Sequence, residues 1–499
     1  MKIGGLDIGT TGCKLVVFDE NGNYLGKAYR DYPVHRTNSA HEVDISSVMD
    51  AVFAVFREMT ARYDDIAGVG VSSFGESFVC ADAEGRPLHP AMLYTDPRGE
   101  EELRELGETV GDDRIAQITG LIPHTMYSIS KLMWLKKHQP EIYAQAKMVL
   151  LMEDYVVYHL TGRRQIDYTL ATRTMAFDIR TIGWSSEILD AAGIDRNLFS
   201  EPVASGTSAG HPTPEALEKT GLKPDAIIVN GCHDQIAAAI GAGASDASIA
   251  VDGAGTVECI TQIFDELPDV DTLTKGHYPI VPYIKSGAYV SYGFSYTGGA
   301  LVQWCVETIA KKEKELAANQ GISVNEYLEK KYQETWGSDP SGLLVLPHFA
   351  GAATPYMDNG AKGVILGLTT ASDVSQIYLG CLEGVVYEML LNLRGLMETG
   401  FSPKRLVATG GGAKSRLWMQ MKADVLDLPI TALKTSDAGT VGSAMMAGIA
   451  AGIFADLKDA AAHMVEEAET YTPRPEMHAK YMQIYDRYEK VYGAVRPLL

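Results

Sequence analysis

Ile3-Gly-Gly-Leu-Asp-Ile-Gly-Thr-Thr-Gly-Cys-Lys-Leu-Val-Val-Phe18 is the stretch whose reading decides the fold. Two short apolar runs flank a turn of glycines and hydroxyls, and one carboxylate, Asp7, closes the first run. The pattern reads as a β-hairpin built to hold phosphate. Gly9 and Gly12 can take positive φ and let backbone N–H groups approach an anion, Thr10 and Thr11 add hydroxyl donors, and Lys14 adds a positive charge. Asp7 would face a hydrated metal ion. Alone, the stretch also reads as an ordinary hairpin whose Gly-Thr-Thr is turn chemistry. A second copy tells the two readings apart.

At Ser248-Ile-Ala-Val-Asp-Gly-Ala-Gly-Thr-Val-Glu-Cys-Ile260 the design returns near the midpoint of the chain, with Asp252, Gly253, Gly255 and Thr256 in the turn. One such hairpin per half predicts two similar α/β domains, residues 1–245 and 246–499, facing each other across a cleft. Each would lend one turn to the same phosphate chain.

Composition narrows the function classes. The 499 residues suffice for roughly two to four domains, and 46% hydrophobic with 21% charged content is that of a globular enzyme. A formal net charge of −21 argues against a nucleic-acid partner, which would need stripes of Lys and Arg. A nucleotide is not excluded, since a few N–H groups and a metal ion hold its phosphates. Six scattered cysteines without a CxxC predict reduced thiols in a cytoplasmic protein, with neither a zinc site nor a disulfide framework. No signal peptide is expected ahead of Asp7. The uncharged run Ala438 to Ala455 is rich in Gly, Ala and Ser rather than Leu or Ile, so a buried, closely packed helix is expected there and no membrane partner.

Between the hairpins, Ile66 to Ser72 reads as a buried strand running into Ser-Phe-Gly-Glu76, and Ala91 to Tyr94 as a strand running into Thr95-Asp-Pro-Arg98. Glu76 is either a turn carboxylate or an acceptor for a substrate hydroxyl, and Asp96 before proline is also an ordinary turn former. Met126 to His138 is an amphipathic helix in which Lys131 would be solvated. Ala226 to Gly243 reads as strand, glycine turn and small-residue helix. Asp234 would cap that helix, or face the cleft as a general base. Later, Thr297-Gly298-Gly299 precedes a helix, and Arg405 to Trp418 is a strand, a triple-glycine turn and a helix. The three glycines would let the backbone lie against a planar group or phosphate, or only permit tight strand-to-helix packing. Neither GxxxxGK[ST] nor GxGxxG is present, which disfavours a P-loop enzyme and a nicotinamide oxidoreductase.

Two of these segments resemble the signatures of the FGGY carbohydrate kinases, a family similar in fold to hexokinase, actin and the heat-shock ATPases. Met126, Ser128, Lys131, Trp134, Leu135, Lys137 and His138 match the first signature. Gly363, Ile365, Gly367, Leu368, Gln376, Ile377, Leu382 and Glu383 match the second, with a departure at Gly380 and Cys381. The resemblance covers essentially the whole chain. It implies an α/β fold of two RNase H-like domains, of the actin and hexokinase type, with the active site in the interdomain cleft.

The resemblance also implies roles. Asp234 would be the catalytic base, and Asp7 with Asp234 would face Mg2+. Thr10, Thr11, Lys14, Gly255 and Thr256 would hold the phosphates of ATP, and Gly298, Gly299, Gly411 and Gly412 would line the nucleotide. Glu76, Asp96, Tyr127 and Gln235 would line the sugar. The expected substrate is a neutral ketose or polyol, because three carboxylates near the sugar disfavour a sugar acid and the only nearby cation, Arg98, has Asp96 two residues before it as its expected partner; a xylulose-like ketopentose ranks first, on Lys14 against Gln235. A glycerol- or erythritol-type kinase is the alternative within the family, and a non-catalytic actin-like ATPase or scaffold the alternative outside it. The oligomeric state stays open, a homodimer included.

Overall fold

The computed structural model describes residues 1–435 and 437–499. In the first half, the strands β1 (Lys2–Ile8), β2 (Gly12–Asp19), β3 (Tyr24–Asp31), β4 (Ile66–Ser73), β5 (Ser208–Gly210) and β6 (Ile227–His233) form one sheet in the order β5-β6-β4-β1-β2-β3. β1 pairs antiparallel with β2, and β1, β4 and β6 run parallel. The inner strands are covered on both faces, which is why their sequences read as continuous apolar runs rather than alternating ones.

The second half repeats this plan. The strands β7 (Ile249–Ala254), β8 (Glu258–Phe264), β9 (Ile280–Pro282), β10 (Tyr289–Ser295), β11 (Arg405–Thr409), β12 (Ile430–Leu433) and β13 (Glu467–Tyr471) are ordered β9-β10-β8-β7-β11-β12-β13. The run β3-β2-β1-β4-β6 therefore has its counterpart in β10-β8-β7-β11-β12, with the phosphate-type hairpin at the same place in each sheet. The duplication read from two short turns extends to whole sheets.

Helices fill the space around and between the sheets. α1 (Ile45–Thr60) starts at Asp44, whose carboxylate accepts from Ser46 N, and buries Val48, Val52, Val55 and Phe56 against the first sheet. α2 (Ser128–His138), α3 (Tyr168–Thr172) and α4 (Asp234–Gly241) follow in the first half, and α5 (Gly299–Thr308), α6 (Val374–Met397), α7 (Arg416–Leu426) and α8 (Ala438–Ala450) in the second. α6 is long and apolar enough to cross a membrane by length and composition, but 83% of its most apolar window is buried in the second domain's core.

α8 is the uncharged run of the sequence, and it ends at Ala450, short of Ala455. Although it belongs to the second half, it packs beneath the first sheet beside α4. The reason for its composition is distance. A Cβ on Gly241 would land on the carbonyl oxygen of Ala438, one on Gly442 on that of Ala237, and one on Gly5 on that of Thr440. Backbones this close admit only glycine. Ile3, Val229, Ile236 and Ile240 from the first half share a single core with Val251, Ile263, Val407 and Val441 from the second, so the two sheets rest on a common floor below the cleft.

Candidate active site

A cavity of about 280 Å³ opens where the two hairpins face each other. The first half contributes Thr10, Glu76, Tyr127, Arg173, Asp234 and Gln235, and the second contributes Val257, Cys259, His277, Tyr292 and Phe294. Asp234 is the first residue of α4, set there because β6 ends at His233 and the chain turns directly into the helix. His233 N donates to Thr169 Oγ1 at 2.8 Å, which fixes that corner against α3.

The acids at the cleft floor are not ordinary surface carboxylates. Asp234 Oδ1 accepts from Gln235 N at 2.6 Å and lies 3.3 Å from His233 Nε2. Burial, with Arg173 nearby, pulls the His233 imidazole down to about 3, so it is neutral and offers no counter-charge. No lysine or arginine among the described residues pairs with Asp234, and its side chain keeps 43% of its surface open to the cavity. Asp7, at the end of β1, keeps Oδ1 buried without a partner. Its Oδ2 lies 3.3 Å from Lys14 Nζ. Burial pushes both carboxyls up, each to about 6, and Asp234 adds to the effect on Asp7. Two acids so placed suit a cation that takes one or two carboxylates and otherwise keeps its waters, as magnesium does.

The sugar end departs from the sequence reading. Glu76 lines the cavity from a left-handed backbone position, φ 66, and Ser128 of α2 holds its carbonyl at 2.6 Å. Its carboxylate is not free: Arg173, at the C-cap of α3, donates from Nε to Oε1 at 2.6 Å, and both residues are only 4% exposed. The Arg173 guanidinium also donates to Tyr292 Oη at 2.9 Å and lies over the Tyr127 ring at 5.0 Å from its centroid. Nothing in the local sequence marks Arg173, because its partners lie far along the chain. Asp96 is withdrawn from the cavity. Arg98 donates to both of its oxygens, from Nε at 2.8 Å and Nη2 at 2.6 Å, and His41 N donates at 2.7 Å. Trp134 of the first signature stacks on Arg98, 4.9 Å from the ring centroid to the guanidinium carbon. Lys131, expected to be solvated, is fully buried, donates to the Thr125 carbonyl, and is pulled down to about 8 by burial. Arg98 is therefore not the only cation beside these acids, and it is Arg173 that lines the cavity.

Of the residues expected to line the nucleotide, Gly299, Gly411 and Gly412 line a second cavity of about 340 Å³ with Gln303, Asn325, Tyr378 and Trp418. Gly298 sits beside it at the start of α5, where its N–H donates to the Thr256 carbonyl at 2.9 Å. Gly255 and Thr256 form the exposed tip of the second hairpin. In the first hairpin, Gly9 N donates to Gly12 O at 2.9 Å, and Thr11 is exposed at the turn. The hairpin glycines are not used for positive φ, which among these motifs occurs at Gly410, φ 94. Gly12 is required instead by close packing on β3, where its Cβ would fall on the Arg30 carbonyl oxygen as well as the Tyr29 ring. Lys14 is tied to two acids, Asp7 and, at 3.2 Å, Asp437.

Comparison with known proteins finds relatives across both halves of the chain. Residues 2–241 match the N-terminal domain, and residues 255–451 the C-terminal domain, of the FGGY family of carbohydrate kinases. The xylulose kinase of Lactococcus lactis is 28% identical over 496 residues, 98% of this chain and 96% of that protein. The gluconokinase of Bacillus subtilis is 28% identical over 483 residues, 96% of this chain and 93% of that protein. The crystal structure of xylulose kinase from Rhodospirillum rubrum has the same fold, with a TM-score of 0.90 at 24% identity, covering 100% of this chain and 99% of the other.

Proposed function

The chain belongs to the FGGY family of carbohydrate kinases, and from that premise we propose that it transfers the γ-phosphate of ATP to a hydroxyl of a neutral ketose or polyol, with Asp234 as general base. The enzyme is a sugar phosphotransferase, and its family uses ATP. The observation that carries the finer reading is Asp234 itself: a carboxylate without a cationic partner, open to a cavity walled by both domains. A sugar hydroxyl is a poor nucleophile, and in-line phosphoryl transfer needs one acceptor for its proton. Asp234 accepts that proton, and a carboxyl raised to about 6 is a better acceptor than an ordinary one while still ionised at neutral pH.

The remaining roles follow the geometry. Thr10, Thr11, Gly255 and Thr256 hold the phosphates between the two hairpins, and the cavity at Gly299, Gly411 and Gly412 takes the adenosine, with Gly298 beside it. Asp7 and Asp234 would hold Mg2+, which would supply charge neutralisation for the transferred phosphoryl group. Closure of the cleft excludes water and limits hydrolysis of ATP.

The substrate is neutral for a reason different from the one the sequence suggested. Arg173 is paired with Glu76 and Asp96 with Arg98, which leaves Asp234 as the cavity acid with no lysine or arginine in ion-pair contact among the described residues. A substrate carboxylate would meet that acid in a desolvated site. A xylulose-like ketopentose ranks first and a glycerol- or erythritol-like polyol second.

The test is ADP release with MgATP and each of xylulose, ribulose, glycerol, erythritol, fructose and gluconate, repeated with Asp234→Asn. Loss of a general base costs about 10²–10⁴ in rate. A variant retaining half the wild-type kcat would remove Asp234 from the base role, and gluconate as best substrate would overturn the charge argument.

A further inference from the structure

Behind the second hairpin lies a charged cluster that no step above uses. Lys422, in the middle of α7, is 1% exposed, and its ammonium donates to Asp252 of β7 at 2.5 Å and to Glu258 at the start of β8. Asp252 and Glu258 bracket the tip Gly253 to Val257. One turn before Lys422, Trp418 lays its ring over the same ammonium, 4.7 Å from the centroid, and lines the cavity with Gly411 and Gly412. A single buried cation thus touches both arms of the hairpin that would hold the phosphates and the helix that would carry the adenosine.

The cluster is costly to build. Each buried ion loses several kcal/mol of hydration, and well-packed apolar side chains commonly give equal or greater stability. It also holds one acid more than it has bases. Burial pushes the Glu258 carboxyl well above its ordinary range, and its Oε2 is buried without a partner against Gly298. The tip has one further anchor, the start of α5, where Gly299 N donates to Gly255 O at 2.8 Å and Ala300 N to Thr256 O at 3.1 Å. With both anchors made, the hairpin cannot shift relative to α7 without breaking a charged bond.

We propose that Lys422 is a positioning residue for the nucleotide, clamping the second phosphate hairpin to the adenosine helix and so setting the span between the phosphate and base sites. The inference rests on the assignment of ATP to those two sites. Its test separates ligands that span the clamp from ligands that do not. Glu258→Ala cuts the tie while leaving Lys422 paired with Asp252, and Lys422→Met removes the clamp altogether. In both variants KM for MgATP is expected to rise about tenfold, the worth of one charge-assisted hydrogen bond. KM for the sugar and the Kd of adenosine, which occupies the base site alone, should stay within about twofold, the scale of an additivity error.

A structural role alone would weaken adenosine and ATP together, and that result overturns the proposal. So does an unchanged KM for MgATP in Glu258→Ala, the variant that keeps a balanced ion pair and tests the clamp even if Lys422→Met fails to fold. Wild-type protein that does not bind adenosine in competition with ATP would instead refute the site assignment.

Discussion

Removing Arg173 should be far more damaging than removing the charge of its partner, and the structure sets the size of the difference. Glu76 and Arg173 are each 4% exposed and joined by a hydrogen bond of 2.6 Å. Arg173→Met leaves a carboxylate buried with no cation, which costs about 3–5 kcal/mol. In a domain of roughly 250 residues that is a Tm loss of about 10 °C. Glu76→Gln keeps an amide oxygen to accept from Arg173 Nε, and the guanidinium keeps Tyr292 Oη and the Tyr127 ring, so the loss should stay near 1 kcal/mol, roughly one neutral hydrogen bond. Arg173→Met with Glu76→Gln carries no stranded charge and should recover at least half of the loss. The assay is thermal unfolding of the four proteins at one concentration and pH, beside KM for sugar and for MgATP. KM for sugar should rise in the Arg173 variant with KM for MgATP unchanged. A Tm loss below about 2 °C in Arg173→Met, or single effects that simply add in the double variant, would refute a buried, coupled pair.

Three further outcomes are expected. The acid limb of kcat/KM should show an apparent pKa near 6 that belongs to Asp7 and Asp234 together, with activity lost as pH falls through it. Stability has the opposite sign, because both carboxyls are raised above the unfolded value: their contribution is full below about 4 and fades as pH rises through 6. A limb near 4 in the pH–rate profile would contradict the buried setting. Asp7→Ala and Thr256→Ala should each impair MgATP use much more than sugar affinity, and nucleotide titrations unchanged in both would sink the paired hairpins. Gly241→Ala should lower Tm despite the roughly 0.5–1 kcal/mol that alanine gains over glycine within a helix, because its Cβ would overlap Ala438 O at a cost of about 1–3 kcal/mol. A rise in Tm on scanning calorimetry would show that α4 and α8 can separate.

Much of this enzyme is local in the sequence. The two acid-glycine-threonine turns, the strand running into Asp234 and the Gly-Gly-Gly turn each lie within about a dozen residues, where hydrophobic period and turn chemistry act directly on neighbours. The sheets, the cleft and its duplication follow from those stretches, and so does the buried character of Ala438 to Ala450. The placement of charge does not. Glu76 meets Arg173 at a separation of 97 residues, and Lys422 meets Asp252 and Glu258 at 170 and 164. Lys131 looked like a solvated lysine until folding took its water, whereas Asp96 takes an arginine only two residues along the chain, a pair the sequence already suggested. A carboxylate's role depends on which cation reaches it and how much water remains, and for partners far apart in the chain no spacing encodes either. Tertiary structure alone decided that, among the described residues, Asp234 lines the cavity with no lysine or arginine in ion-pair contact.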